Sequence, residues 1–433
     1  MSTVHIGVLS LVLLLVLLFL RMPIAISMIV IGISGYAYVT SPQAALVKLG
    51  TDTFNNATIY TLSVIPMFLL MGLFLGTSGL GKKLFRAFNT WVGHIRGGLA
   101  IATIGSSAFF AAVSGSVIGT TATIGKVAVP EMLAHKYKET LAAGSVAAGG
   151  TLGILIPPSS VLIIYGALTE ESIGQLLVAG ILPGILTAVL LAFTAWLQVR
   201  INPTLAPTGI AVPFKEKIIS LKEVWPVPVI FLISMGGIYL GIFTATEGGA
   251  VGAFLALLYA VLTKQINWKA FHEALKETSN VVAMIFLVII GGVLYGQFLS
   301  ATRIPLLLGD YIISLDLSPF LLVTFIFLFY FVAGFFMDAM AVIVILTNLF
   351  YPLVIAAGYD GIWFGIVTIL MVNIGFLTPP VGAVSMVTAS ATNISIEKVF
   401  KGVAPFWFAL ILATFINILF PQIATFLPSL MMR

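Results

Sequence analysis

A helix-breaking signature occurs twice in this 433-residue chain, 222 positions apart, and it constrains every other reading. The first copy is Gly153-Ile-Leu-Ile-Pro157-Pro158 and the second is Gly375-Phe-Leu-Thr378-Pro379-Pro380. The same offset carries Pro130 onto Pro352, Gly180 onto Gly402 and Pro183 onto Pro405. Each proline pair removes two backbone donors and turns the preceding residue away from helix. Both copies lie in strongly apolar sequence. Broken backbone at membrane depth persists only where it is enclosed by protein or lines a cavity. Paired interruptions in corresponding halves are the sequence pointer to the binding site of a secondary transporter.

Composition fits that setting. Sixty per cent of residues are hydrophobic and 8% charged, against roughly a quarter charged in a soluble domain. The chain has no cysteine, which excludes disulfides, thiol catalysis and cysteine metal sites. Its four histidines, His5, His94, His135 and His272, lie near expected helix ends, so neither a histidine metal site nor a cofactor is expected. The pI near 9.3 reflects membrane topology, and no nucleic-acid partner is expected. Residues 6–20 are read as a retained span, because Arg21 follows the apolar run where a signal peptide carries its charge in front.

Apolar runs long enough to cross a bilayer fall near 6–20, 24–39, 61–76, 175–199, 225–243, 247–263, 279–299 and 401–428. Four more regions are interrupted or too long for one crossing: 98–133, 141–168, 318–357 and 361–391. Charge decides their threading. If 98–133 and 318–357 are re-entrant hairpins from opposite sides, sixteen of the twenty Lys and Arg fall on one face, from Arg21, Lys82 and Lys83 to Lys398 and Lys401. Lys48, Arg303 and Arg433 keep to the other face, and Lys126 lies within the first hairpin. The basic face is the cytoplasmic one, so both termini point outward. The fold class is therefore an all-α polytopic membrane protein. It is an inverted repeat of two re-entrant helical hairpins and two broken transmembrane helices. The charged stretches 214–223 and 264–278 read either as interfacial helices or as solvated loops.

The first hairpin turns near Ser114-Gly115-Ser116. Sodium favours five or six hard oxygens, which hydroxyls and the exposed carbonyls of a turn provide. The facing break adds Gly150, Thr151, Gly153 and Pro157 to this candidate site. The bland reading of Ser-Gly-Ser is small-residue helix packing. In the second half the turn lies near Gly334 to Asp338, with Met337 beside it, and Asp338 falls on Ser116 by the 222 offset. Gly375, Thr378 and Pro379 complete the second candidate sodium site. Asp338 is the one acidic residue expected deep in the membrane, where such groups usually serve a cavity. It reads as a cation ligand, a proton carrier or a cap on the following half-helix. Candidate substrate contacts are Ser116, Pro158, Ser159, Asn373, Pro380 and Gly382. Half-helix N-termini following the proline pairs favour an anion there. Lys126 reads either as a snorkelling side chain or as a direct contact to that anion. No paired carboxylates or nucleophile–base pair is expected at depth, so an enzyme is not expected.

The chain resembles the large membrane subunit of the tripartite ATP-independent periplasmic (TRAP) transporters. The matching stretches include Ile65-Pro-Met-Phe-Leu-Leu-Met-Gly72, His94-Ile-Arg-Gly-Gly-Leu99, Phe109-Phe-Ala-Ala-Val-Ser-Gly-Ser116, Gly150-Thr-Leu-Gly-Ile-Leu-Ile-Pro-Pro-Ser159, Ala179-Gly-Ile-Leu-Pro-Gly184 and Leu377-Thr-Pro-Pro-Val-Gly382. The sequence departs from the family after Ser116, where Val-Ile-Gly-Thr-Thr-Ala-Thr-Ile-Gly-Lys126 replaces alanine-rich sequence. The resemblance implies a sodium-coupled elevator in the bacterial inner membrane, importing a small carboxylate such as a dicarboxylate or sugar acid. It implies as partners a soluble extracytoplasmic binding protein and a small four-helix membrane subunit, expected as a separate chain. It places sodium at the two hairpin turns and facing breaks. The implied division is 1–97, scaffold; 98–192, first transport half; 193–317, scaffold, amphipathic arms and linker; and 318–433, second transport half. The competing reading is a stand-alone sodium- or proton-coupled anion symporter without a binding protein.

Overall fold

The structure, a computed structural model, describes residues 3–20, 22–207, 209, 212–304, 307 and 318–431; Arg21 and Arg433 lie outside the described residues. Among the described residues every regular element is helical. Six helices among the described residues are long and apolar enough to cross a membrane. A seventh arises if the pair Phe214–Val224 and Pro226–Tyr239, bent by 51°, counts as one span.

The chain opens with α1 (Thr3–Phe19), α2 (Ile24–Val39), α3 (Pro42–Ala57), α4 (Val64–Thr77) and α5 (Leu80–Val92). Hydropathy alone passes over α3 and α5 because both are amphipathic. Helix α3 instead carries local signals: Ser41 accepts the Ala44 N–H at 3.2 Å, and Pro42 occupies the first helical position. The first half continues with hairpin 1, α6 (Gly98–Ser114) and α7 (Val117–Ala134), then α8 (Glu139–Gly150), α9 (Ser160–Thr169), α10 (Ile173–Ala179) and α11 (Ile181–Ile201). Connecting helices α12 (Phe214–Val224), α13 (Pro226–Tyr239), α14 (Ala245–Leu262) and α15 (Trp268–Ala301) lead to the second half. That half holds hairpin 2, α16 (Pro319–Ala333) and α17 (Ala339–Ala356), then α18 (Gly361–Leu377), α19 (Ala383–Thr392), α20 (Ile396–Leu419) and α21 (Gln422–Leu430).

The repeat holds at the level of helix ends. Adding 222 to α7, 117–134, gives the bounds of α17, 339–356, and adding it to the start of α8, 139, gives the start of α18, 361. The local reason is that equivalent positions carry equivalent caps, Ser116 before α7 and Asp338 before α17.

Two sequence boundaries need correction. From Trp268 on, the stretches 264–278 and 279–299 are one helix, α15, of 34 residues, capped by the Asn267 side chain on Ala270 N at 2.8 Å. No proline falls between them, so the charged and apolar parts propagate as a single rod. Conversely, 401–428 is two helices, because Pro421 lacks a donor and Phe420 is turned out of helix (φ −124°, ψ 75°).

Glycines allow the halves to interlock. Helices α8 and α20 cross where a Cβ on Gly144 would strike the Gly402 carbonyl and a Cβ on Gly402 the Thr140 carbonyl. Polar ties hold the periphery. The Tyr351 hydroxyl donates to Glu171 Oε1 at 2.7 Å, joining hairpin 2 to the first half. Lys398 Nζ meets Glu139 Oε2 at 2.7 Å, joining α20 to α8. At the base of hairpin 1, Leu99 N–H donates to the Tyr137 hydroxyl at 3.2 Å, and burial raises the pKa of that hydroxyl and keeps it neutral.

Candidate functional site

Hairpin 1 turns in two residues. Gly115 sits at φ +58° and closes α6 through its N–H to Ala111 O at 3.0 Å. Ser116 is extended and starts α7 by accepting the Gly119 N–H at 3.1 Å. The Ser114 and Thr120 hydroxyls pair across the turn at 2.9 Å. Hairpin 2 turns more widely, through Gly334 to Met337. Asp338 Oδ1 then accepts the Met340 N–H at 3.0 Å to start α17.

The breaks follow the proline pairs. After Gly150 the backbone tightens into a 3₁₀ turn, Thr151–Ile154, and leaves helix through Pro157-Pro158, whose peptide bond is cis. Ser159 stitches this break. Its hydroxyl donates to Ile154 O at 2.6 Å and accepts the Leu162 N–H at 3.2 Å, which starts α9. In the second half the Thr378 hydroxyl donates to Ile374 O at 2.7 Å. The Pro379-Pro380 bond is likewise cis, and Gly382 at φ +56° leads into α19. The first break is wholly buried, whereas Pro379, Pro380 and Val381 are exposed.

Each hairpin is seated on its own break by glycine. A Cβ on Gly153 would lie 2.7 Å from the Ser116 carbonyl, and one on Gly115 would strike the Pro158 carbonyl oxygen. In the second half a Cβ on Gly375 would lie 2.8 Å from Gly334 Cα and from Phe331 O. Ser160 Oγ also reaches the Gly115 carbonyl at 3.4 Å.

The two assemblies meet at one cavity of about 90 Å³. Its wall is Gly115 to Ile118, Ile154, Ser160, Val161, Asp338 to Met340, Phe376, Ala383 and Val384. These residues include the first turns of α7, α9, α17 and α19, so four helix N-termini converge on one space. Ser116, Ser159 and Asp338 each take one first-turn N–H. The remaining N–H groups and the positive ends of the helix dipoles favour a small anion, offset at α17 by the Asp338 carboxylate.

Of the residues singled out by sequence, Gly115, Ser116 and Asp338 line this cavity. Pro158 does not line it and packs beside the tip with Ile65, Phe68 and Ser114. Ser159 is turned inward as the stitch, and the neighbouring Ser160 takes the cavity wall. Gly150, Thr151, Gly153 and Pro157 form the buried floor of the first break. Gly334, Met337, Gly375, Thr378, Pro379, Pro380 and Gly382 form the second tip and break. Asn373 is 1% exposed, and neither of its amide atoms finds a partner within the chain. Thr151, its counterpart 222 residues earlier, satisfies itself on Ala148 O at 2.7 Å. Lys126 is exposed on α7 and does not line the cavity. Ile118, Met340 and Phe376 were not singled out by sequence, since apolar wall residues look like any others in an apolar chain. Among the described residues no group of three or more His, Cys, Asp or Glu is placed to hold a metal ion.

Two hairpin tips and two broken helices, related by an internal repeat and closed round one cavity, define a polytopic membrane permease for a small solute. The chain belongs to the tripartite ATP-independent periplasmic transporter family, DctM component, whose family model matches residues 11–423. The C4-dicarboxylate TRAP transporter large permease protein DctM of Pseudomonas aeruginosa is 34% identical over 403 residues, covering 92% of this chain and 93% of that protein. The isethionate TRAP transporter permease protein DctMQ of Oleidesulfovibrio alaskensis is 33% identical over 387 residues, 88% of this chain and 59% of that protein. In fold, the chain is similar to the crystal structure of the Alcanivorax borkumensis YdaH transporter, with a TM-score of 0.61 at 13% identity over 90% of this chain and 89% of that one.

Proposed function

We propose that this large permease imports a small organic anion, coupled to an inward sodium gradient, after delivery by an extracytoplasmic binding protein. The observation that carries this is the convergence of four helix N-termini on one cavity. Their partial positive ends, about two charges in all, are offset in part by the Asp338 carboxylate on the same wall. With a cation balancing Asp338 they suit a compact dianion or a monoanion with a polar tail. The similar permeases are named for C4-dicarboxylate and isethionate, which are small anions of that kind.

Sodium coupling follows from what flanks the cavity. Hydroxyls of Ser114, Ser116 and Thr378, carbonyls of the two breaks and the Asp338 carboxylate are hard oxygen donors. Cations held there offset the Asp338 charge and strengthen anion binding, which links the two solutes. Hairpins and broken helices, 98–192 and 318–433, form the moving unit, and 1–97 with 193–317 form the scaffold. Sixteen basic residues on one face support re-entrant hairpins and termini outside the inner membrane. A separate small membrane subunit completes the transporter.

The test is uptake into proteoliposomes holding this chain and its small subunit, with radiolabelled C4-dicarboxylates and small sulfonates. Uptake is expected only with both an inward sodium gradient and the cognate binding protein. Uptake with sodium alone identifies a stand-alone symporter, and uptake indifferent to sodium removes the coupling.

A further inference from the structure

The two hairpins are equivalent in sequence register but are covered differently. On α17, Met340, Val344, Asn348 and Pro352 share one face at helical spacing. The middle of that face lies on α15: a Cβ on Gly292 would strike the Val344 side chain, and one on Gly296 would stand 3.6 Å from Asn348 Nδ2, whereas Pro352 beyond it is exposed. Val344 is 0% exposed. A crevice of about 220 Å³ remains between the two helices, lined by Asn348 and, from α15, by Tyr295, Gln297 and Ser300.

Subtracting 222 gives Ile118, Ala122, Lys126 and Pro130 on α7. Helix α19 packs on the neighbouring face of α7, where a Cβ on Gly125 would stand 3.2 Å from the Thr392 side chain, and leaves Lys126 outside that contact. Ile118 is 58% exposed, Ala122 is half-buried, and Lys126 and Pro130 are exposed. Ile118 also lines the central cavity, so the stripe begins there and runs along α7 toward its far end. Lys126 stands midway, ten residues past Ser116, and makes no ion pair among those found in the described residues. Its half-buried counterpart is the neutral Asn348.

We propose that this face of hairpin 1 is the water-lined path by which the anion leaves the cavity toward the cytoplasm, and that Lys126 guides it electrostatically. The inference rests on the anion-import reading above. An unpaired ammonium facing hydrocarbon is costly, whereas on a wetted path it keeps its hydration. A solute held by four helix N-termini needs a second attractive station to leave quickly, and a cation roughly 15 Å along the helix provides one. On α17 the equivalent Asn348 is half-buried beside α15 and uncharged, so the charge difference between Lys126 and Asn348 accompanies the difference in exposure.

The absence of native cysteine makes the test direct. Ala122→Cys and Lys126→Cys are made singly, with Phe408→Cys, 75% exposed on α20, as the lipid-facing comparison. In inside-out vesicles, a membrane-impermeant sulfonate thiol reagent is expected to modify the α7 cysteines and spare Phe408→Cys. Reaction of the α7 cysteines with a lipid-soluble maleimide alone, as for Phe408→Cys, overturns the path. Lys126→Gln is expected to slow C4-dicarboxylate exchange roughly fivefold with an unchanged sodium activation curve, and Lys126→Arg to restore it. Wild-type exchange by Lys126→Gln overturns the guiding role. If the wild-type protein itself carries no anion, the import reading fails, and the labelling result distinguishes that failure from a dry path.

Discussion

Replacing Gly115 with alanine probes the contact on which the cavity depends. Gly115 turns hairpin 1 at φ +58°, a conformation that costs an ordinary residue about 1–2 kcal/mol. The added methyl would also strike the Pro158 carbonyl oxygen. That oxygen belongs to backbone held by consecutive prolines, so it has little freedom to rotate away. Relief to ordinary carbon–oxygen contact requires the tip to withdraw by on the order of 1 Å. Withdrawal carries Ser116 and the first turn of α7 away from the cavity and from Gly153. Gly79 supplies the control: it has φ +66°, and nothing lies within 4 Å of its Cβ position. Gly79→Ala therefore bears only the conformational cost. Both variants are assayed for thermal midpoint and for sodium-driven uptake in proteoliposomes. Gly79→Ala is expected to lower the midpoint modestly and to transport normally. Gly115→Ala is expected to lose roughly tenfold to hundredfold in uptake and to need more sodium. Uptake by Gly115→Ala indistinguishable from that of Gly79→Ala would refute the seating of tip on break.

Two further substitutions separate structure from coupling. Asp338→Asn keeps a side-chain cap on α17 but removes the charge, so sodium activation is expected to weaken while stability holds. Asp338→Ala is expected to lose about 1 kcal/mol of stability as well, and an unaltered sodium curve in both variants would remove Asp338 from the ion site. Asn373→Ala removes two buried, unpartnered amide atoms, so stability is expected to hold within about 1 kcal/mol while uptake falls. A large drop in melting temperature with full uptake would make Asn373 a packing residue.

The sequence alone determined the parts of this protein that depend on neighbouring residues. Pro157-Pro158 and Pro379-Pro380 stop helices through missing donors and ring clashes, which act over a few residues, so both breaks were legible. Ser116 and Asp338 cap their helices by contacts three and two residues away, so the repeat extends to matching helix ends. Hydropathy located the main spans but passed over α3 and α5, whose apolar residues occupy one face only, and it divided α15 where composition changed without a breaker.

Only the tertiary structure decided which polar groups face the cavity and which stitch the backbone. Ser159 and Ser160 are adjacent and chemically identical, and the turn after Pro158 sends one to Ile154 O and the other to the cavity wall. Nor does local sequence assign cover. Lys126 and Asn348 stand at one position of the repeat, yet Asn348 is half-buried beside α15 while Lys126 is exposed next to the contact of α7 with α19. That difference arises from packing between segments far apart in the chain, which an offset of 222 residues relates but does not place.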